Sequence, residues 1–293
     1  MTKLKAWITS FRLRTLPLSL SAVFMGSIVA SREGTFRWEV FIWASLTTLF
    51  LQILSNMSND YGDSVSGVDN ENRLGPKRMV QSGMITKNGM KKAIIICALL
   101  AFISGLILIF FAFDSIKIGT LIFLLFGLSA IAAAVLYTVG RNPYGYRGFG
   151  DIFVFLFFGI AGVAGSYYLH GLSWNWAILL PASAIGFFST AVLNLNNIRD
   201  IQSDKESGKN TIVVKIGRYA ASWYHFFLIS AGWLCFLIFT KLQGGAYLLP
   251  LLTLPLFIRN IWVVFTKDDS SCLNSELRNL SLMTFLFVGL GIL

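Results

Sequence analysis

A chain of 293 residues that is 55% hydrophobic and only 13% charged, with a mean hydropathy of +0.68, departs from soluble domains toward membrane proteins. Its net charge of +10 is spread over many short loops, which excludes a nucleic-acid-binding role and suits loops lying against anionic lipid. Three cysteines, Cys97, Cys235 and Cys272, show no paired spacing, so neither a disulfide framework nor a thiolate metal site is expected.

Basic residues precede an apolar run at the start of the chain, and that run leads into further apolar segments, so a first spanning helix near 13–30 is expected rather than a cleaved signal. Further windows of about 20 residues, long enough to cross a ~30 Å hydrocarbon core, fall near 38–58, 91–113, 117–139, 149–169, 174–195, 221–240 and 246–265, with a shorter one at 279–293. The expected fold is an all-α integral membrane bundle of about nine transmembrane helices around a central cavity. It forms a single domain over 1–293, with two parallel four-helix pseudo-repeats and a last added helix. In that topology all but four of the 24 lysines and arginines fall on the side of the N-terminus, leaving Arg32, Arg37, Lys117 and Lys241 opposite. The positive-inside rule then makes the N-terminus and its loops cytoplasmic, as at a bacterial inner membrane.

Two acidic clusters interrupt the apolar pattern. The second segment ends in Asn56-Met-Ser-Asn59-Asp60-Tyr61-Gly-Asp63, followed by Asp69 and Glu71. The sixth ends in Asn194-Leu-Asn196-Asn197-Ile-Arg199-Asp200, followed by Asp204 and Glu206. Half of the 14 acidic residues lie in these stretches, and an even number of spans separates them, so both face the same side. Helical continuation would stack Asn56, Asn59, Asp60 and Asp63 on one face, and Asn197, Asp200 and Asp204 on another. Oxygen donors without histidine or cysteine select a hard cation such as Mg²⁺, which binds through one or two carboxylates, waters and substrate phosphate oxygens. Simple helix capping needs one residue, whereas each ionised Asp near hydrocarbon costs up to ~2.5–3.5 kcal/mol at mid-membrane, so several together imply a wet cavity. Arg73, Lys77 and Arg78 after the first cluster, Arg199, Lys205 and Lys209 in or after the second, and Arg141 and Arg147 between segments four and five are candidate phosphate clamps.

The stretches LQILSNMSNDYGDSVSGVDNENRLGPKRMVQSG, YTVGRNPYGYRGFGD and NLNNIRDIQSDKESGKNTIVVKIG, with the opening FRLRTLPLSL that contains Arg14, resemble the UbiA-type membrane prenyltransferase superfamily. They are most similar to its 1,4-dihydroxy-2-naphthoate polyprenyltransferase branch. The resemblance implies Mg²⁺ held by Asp60, Asp63, Asp200 and Asp204 between two Asp motifs. Asn56, Asn59, Asn197 and the basic residues, Arg14 among them, would bind a polyprenyl diphosphate and an aromatic acid acceptor. The superfamily's NDxxDxxxD pattern is altered, with Gly67 in the last acidic position and Asp69 as the next carboxylate. Diphosphate departure would leave an allylic cation that Tyr61, Tyr137, Tyr144 or Tyr146 could stabilise. The acceptor ring would then be prenylated with loss of CO₂. Prenylation of 4-hydroxybenzoate, and a transporter of cations or organic anions, remain as alternatives, while His170 and His225 are expected to be structural.

Overall fold

A computed structural model of the protein describes residues 2–67, 78–116, 118–245 and 247–292, and these form helices, turns and loops with no strand among them. Helix α1 (Lys3–Phe11) stops where Arg12 adopts a left-handed backbone, φ 51° and ψ 56°. A short 3₁₀ turn then leads into α2 (Leu16–Arg32), whose Pro17 stands in the first turn, where a missing N–H costs nothing. Helix α3 (Trp38–Val65) runs beyond the apolar window and through the first acidic cluster. Thr86 caps α4 (Lys87–Ala112), its side chain accepting from the Gly89 amide, and α5 (Ile118–Leu136) follows. The next crossing is one rod made of α6 (Gly150–Val154), a π-helical stretch Phe155–Ala164 and α7 (Gly165–Gly171). Helix α8 (Leu179–Arg199) ends at Asp200, where a bend starts the short α9 (Ile201–Glu206). Helix α10 (Ile212–Leu242) kinks at Gly217, and α11 (Leu254–Thr266) and α12 (Ser270–Gly289) complete the bundle.

Among the described residues, eight helical segments are long and apolar enough to cross a membrane. The last helix is not one of them, and it begins at Ser270 rather than near 279. Its first half carries Asn274, Glu276, Arg278 and Asn279, polar residues that hide it from a hydropathy window. The bundle accommodates them: the buried Glu276 carboxylate accepts from Arg259 Nη1 at 3.0 Å, Asn260 Nδ2 at 3.0 Å and Asn279 Nδ2 at 3.1 Å. A buried charge persists at such depth only when paired in this way.

The second and third crossings of each half pack most extensively on one another, α3 on α4 and α8 on α10, as parallel repeats require. The larger core lies between α2, the π-helical stretch, α8, α10 and α12, where the Phe188 ring meets Phe257 at 4.7 Å and Phe287 at 5.4 Å. Close helix approach there depends on small residues, because no hydrophobic drive separates helix from lipid. A Cβ on Gly159 would come within 2.6 Å of the Ala182 carbonyl oxygen and 2.7 Å of Gly186 Cα. Helix α5, by contrast, has no buried residue and packs mainly along α3 and α4, touching the neighbouring rod through Phe123 on Tyr168 at 5.6 Å and Phe126 on Phe157 at 6.2 Å. Large apolar side chains such as Phe110, Ile122, Leu237 and Trp262 face outward. That surface suits lipid and not water.

The Gly159 contact makes a specific demand on stability. Gly159→Ala should lower the unfolding midpoint of the detergent-solubilised protein, since overpacking a closed contact costs ~1–3 kcal/mol. Gly289→Ala, where nothing lies within 4 Å, should leave it unchanged or raised in the same thermal melt.

Candidate active site

A cavity of about 410 Å³ runs through the bundle and brings both acidic clusters to one end. On α3 its wall is the stripe Ala44, Thr47, Thr48, Leu51, Gln52, Ser55, Asn56, Asn59 and Asp63. At ~1.5 Å per residue that stripe is about 28 Å long, close to the thickness of a hydrocarbon core. Opposite the hydroxyls of Thr47, Thr48 and Ser55 the lining is mostly apolar, with α5 giving Phe123, Phe126 and Ile131 and the π-helical rod giving Phe153, Phe157 and Phe158. The cavity is thus a greasy slot with one charged head.

Asp63, with a side chain only 1% exposed, is the centre of that head. Arg78 Nη2 forms an ion pair with its Oδ2, Tyr146 Oη donates to its Oδ1 at 2.6 Å, and Lys209 Nζ stands 3.7 Å from the same Oδ1. Lys209 Nζ is also 3.7 Å from Asp204 Oδ1 and lies 4.9 Å from the centre of the Tyr146 ring, so one ammonium bridges the two clusters. Asp200 is held by its neighbour Arg199, Nε donating at 2.8 Å and Nη2 at 2.6 Å. Arg199 reaches in turn to Asn196 Oδ1 at 2.8 Å and to Asn274 Oδ1 on α12 at 3.0 Å. Asn59 accepts from Thr138 Oγ1 at 3.1 Å, while Asn56 donates to the Phe11 carbonyl at 2.9 Å and to Thr15 Oγ1 at 3.1 Å, pinning the break between α1 and α2.

The expected residues divide into those that meet and those that do not. Asn56, Asn59, Asp63, Arg78, Tyr137, Tyr144, Asn197, Asp200, Asp204 and Lys209 all line the cavity. Arg199 sits behind Asp200 as its partner. Asp60 shares α3 with Asp63, but its carboxylate is turned to the following turn, accepting the backbone amides of Met79 at 3.0 Å and Val80 at 3.1 Å. Arg14 points to α12 and donates to Asn274 Oδ1 at 3.0 Å, whereas Arg12, which sequence reasoning passed over, lines the cavity. Its exposure there follows from the left-handed turn at Arg12 itself, for which an arginine gives no signal. Arg141 and Arg147 are exposed in the loop between α5 and α6, and the Arg147 carbonyl accepts from Lys215 Nζ at 3.1 Å. Tyr61 packs against the small core around Ala6 and Met57. Asp69, Glu71, Arg73 and Lys77 lie outside the described residues. His170 and His225 are buried in structural contacts, the first to the Arg37 amide and Ser27, the second to Asn260.

Tyr137 stands in the gap left by Gly150, where a Cβ would come within 2.8 Å of its hydroxyl. The Tyr144 ring meets Tyr137 edge-on at 5.2 Å and Phe153 at 4.2 Å. Burial pushes both phenols well above their ordinary value, and the carboxylate of Asp151 adds to the shift at Tyr137. Both therefore present neutral rings beside the charged head.

The sequence matches the UbiA prenyltransferase family over residues 19–284. The chain belongs to the UbiA prenyltransferase family. It is similar to the 1,4-dihydroxy-2-naphthoate octaprenyltransferase of Escherichia coli (strain K12), 42% identical over 302 residues that cover 100% of this chain and 96% of that protein. Its fold is similar to the apo structure of a UbiA homolog from Aeropyrum pernix K1, with a TM-score of 0.72, 18% identity and coverage of 96% of this chain and 98% of the other. It is also similar to a UbiA homolog from Archaeoglobus fulgidus bound to DMAPP and Mg²⁺, with a TM-score of 0.61, 14% identity and coverage of 95% and 96%. As a UbiA family member with several helical segments long and apolar enough to cross a membrane, the protein is a multi-pass membrane prenyltransferase.

Among the described residues, no three His, Cys, Asp or Glu side chains are drawn together as a ready metal cage. Asp63, Asp200 and Asp204 instead face one space with amide oxygens and basic groups, and one cation, Lys209, already stands between two of them. That donor set fits a hard cation that shares its coordination with phosphate oxygens.

The role of Asp60 can be tested apart from catalysis. Asp60→Ala leaves two buried amides without acceptors, at ~1–3 kcal/mol each, and should lower the unfolding midpoint and speed proteolytic cleavage before α4. Asp60→Asn, which retains one acceptor oxygen, should fall between. Unchanged proteolysis in Asp60→Ala would remove this anchor.

Proposed function

We propose that this protein transfers a polyprenyl chain from polyprenyl diphosphate to 1,4-dihydroxy-2-naphthoate, releasing CO₂ and diphosphate and giving demethylmenaquinol, which a separate two-electron oxidation converts to demethylmenaquinone. The observation that carries it is the convergence of Asp63, Asp200 and Asp204 with Arg78 and Lys209 at the head of a bilayer-length apolar slot. The name of the full-length Escherichia coli relative supports the acceptor and the polyprenyl donor.

Within this reading Asp63, Asp200 and Asp204 hold Mg²⁺, a cofactor present in the Archaeoglobus fulgidus homolog. When bound, Mg²⁺ supplies positive charge to the diphosphate as its bond to the allylic carbon breaks. Arg78, Lys209 and Arg12 bind the same leaving group, where negative charge grows most in the transition state. The polyprenyl tail lies along Phe123, Phe126 and Phe157, which keep water from the reacting carbon. Tyr137 and Tyr144 turn neutral rings to the cationic carbon, an interaction of ~0.5–2 kcal/mol. The acceptor ring forms its new C–C bond at the carbon bearing the carboxylate, and the electrons of the departing CO₂ restore the aromatic ring. The excess of Lys and Arg around the polar head supports a cytoplasmic orientation of that face at a bacterial inner membrane.

Asp204→Asn should lower kcat by ~10²-fold or more in a detergent assay of prenylated product with the unfolding midpoint near that of the parent, whereas Asp63→Asn should lower both, because it leaves the buried Arg78 guanidinium without its carboxylate. Full activity in either well-folded variant would detach the carboxylates from the chemistry.

A further inference from the structure

Each cavity carboxylate already has a cation of the protein's own. Arg78 pairs with Asp63, Arg199 with Asp200, and Lys209 with both Asp63 and Asp204. Among the described residues the head holds these three acids and four bases, Arg12 on the cavity wall being the fourth, so a free metal ion adds to the positive excess and a free diphosphate overturns it. The metal and the diphosphate arriving together restore the balance by exchange of partners.

The three cations are not equally placed to exchange. The Arg78 and Arg199 side chains are 5% and 1% exposed, and Arg199 grips Asp200 through two short hydrogen bonds. Lys209 is 16% exposed and stands 3.7 Å from both of its carboxylate oxygens, beyond direct hydrogen-bond range. Its ammonium is a point charge on a flexible stem, supported from one side by the Tyr146 ring at 4.9 Å. Its backbone is fixed where the charge is needed, the Lys209 amide donating to the Asp204 carbonyl at 2.8 Å and the next amide, of Asn210, donating to the Tyr146 carbonyl at 2.8 Å. The chain is therefore anchored at the point from which the ammonium reaches both carboxylates.

We propose that Lys209 is a resident counter-cation. It holds Asp63 and Asp204 together in the resting site, excludes divalent metal in the absence of substrate, and moves from the carboxylates to the diphosphate when metal and diphosphate enter as one complex. This rests on the metal–diphosphate reading above, and its consequence for that reading is ordered entry. Metal alone binds weakly, which protects the site from idle occupation by divalent ions. The same side chain opposes the metal before substrate binds and favours the diphosphate afterwards.

Those opposite signs give the test. Full-length protein in detergent is titrated with Mn²⁺ followed by its EPR signal, first alone and then with inorganic pyrophosphate. In Lys209→Met, Mn²⁺ alone should bind on the order of tenfold tighter, since a like charge ~4 Å from the site is gone, while pyrophosphate in the presence of Mn²⁺ binds about tenfold more weakly. Lys209→Arg, which keeps the charge, should bind Mn²⁺ alone as weakly as the parent. If Mn²⁺ binding in Lys209→Met is unchanged or weaker while the parent binds Mn²⁺ with pyrophosphate, the counter-cation role is overturned and the prenyl-transfer reading stands. A parent that takes up no Mn²⁺ even with pyrophosphate overturns both.

Discussion

The Asp63 carboxylate is the point on which the site's geometry depends. It is buried at the end of a membrane-length helix, and a charge in that position must be paired or it drives the surrounding structure apart. Its partners come from three separate segments: Arg78 from the turn before α4, Tyr146 from the loop between α5 and α6, and Lys209 from the turn after α9. Neutralising one buried charge therefore draws together the connections at one end of both halves of the bundle. Asp60, one helical turn earlier on α3, fastens the same turn by its backbone amides.

This arrangement separates two kinds of solvent within one cavity. At the head, charge and amide groups form a polar pocket in which a diphosphate can be solvated by the protein. Behind it, the slot between α3, α5 and the π-helical rod is lined mostly by Phe and aliphatic side chains. A substrate with a charged head and a hydrocarbon tail is complementary to both parts at once, and neither an inorganic ion nor a free hydrocarbon is. Helix α5, with no buried residue, stands between that slot and the outer surface of the bundle.

Much of this was legible in the sequence because it rests on local patterns. Apolar windows located the crossings, although α3 runs seven residues past its window and α10 begins nine before it, and the Asn and Asp spacing at 56–63 and 197–204 marked residues that face the cavity. What escaped was set by tertiary contact. Asp60 fits the helical stripe as well as Asp63 does, and only the position of the Met79 and Val80 amides turns it elsewhere. The exchange of Arg14 for Arg12 at the cavity wall follows from a left-handed residue that composition does not announce. The last helix begins at Ser270, nine residues before its apolar window, because polar Asn274 and Glu276 lower the hydropathy there, and Arg199, Arg14, Arg259 and Asn260 satisfy them inside the bundle.

The most direct test of the central claim follows both products of one turnover. Purified protein in detergent is given Mg²⁺, farnesyl diphosphate and carboxyl-labelled 1,4-dihydroxy-2-naphthoate, with carboxyl-labelled 4-hydroxybenzoate in a parallel reaction. The account predicts prenylated naphthalenediol and labelled CO₂ in equal amounts, dependent on the divalent ion, with no release of label from hydroxybenzoate. Prenylation of hydroxybenzoate with its carboxylate retained, and no reaction of the naphthoate, would contradict it.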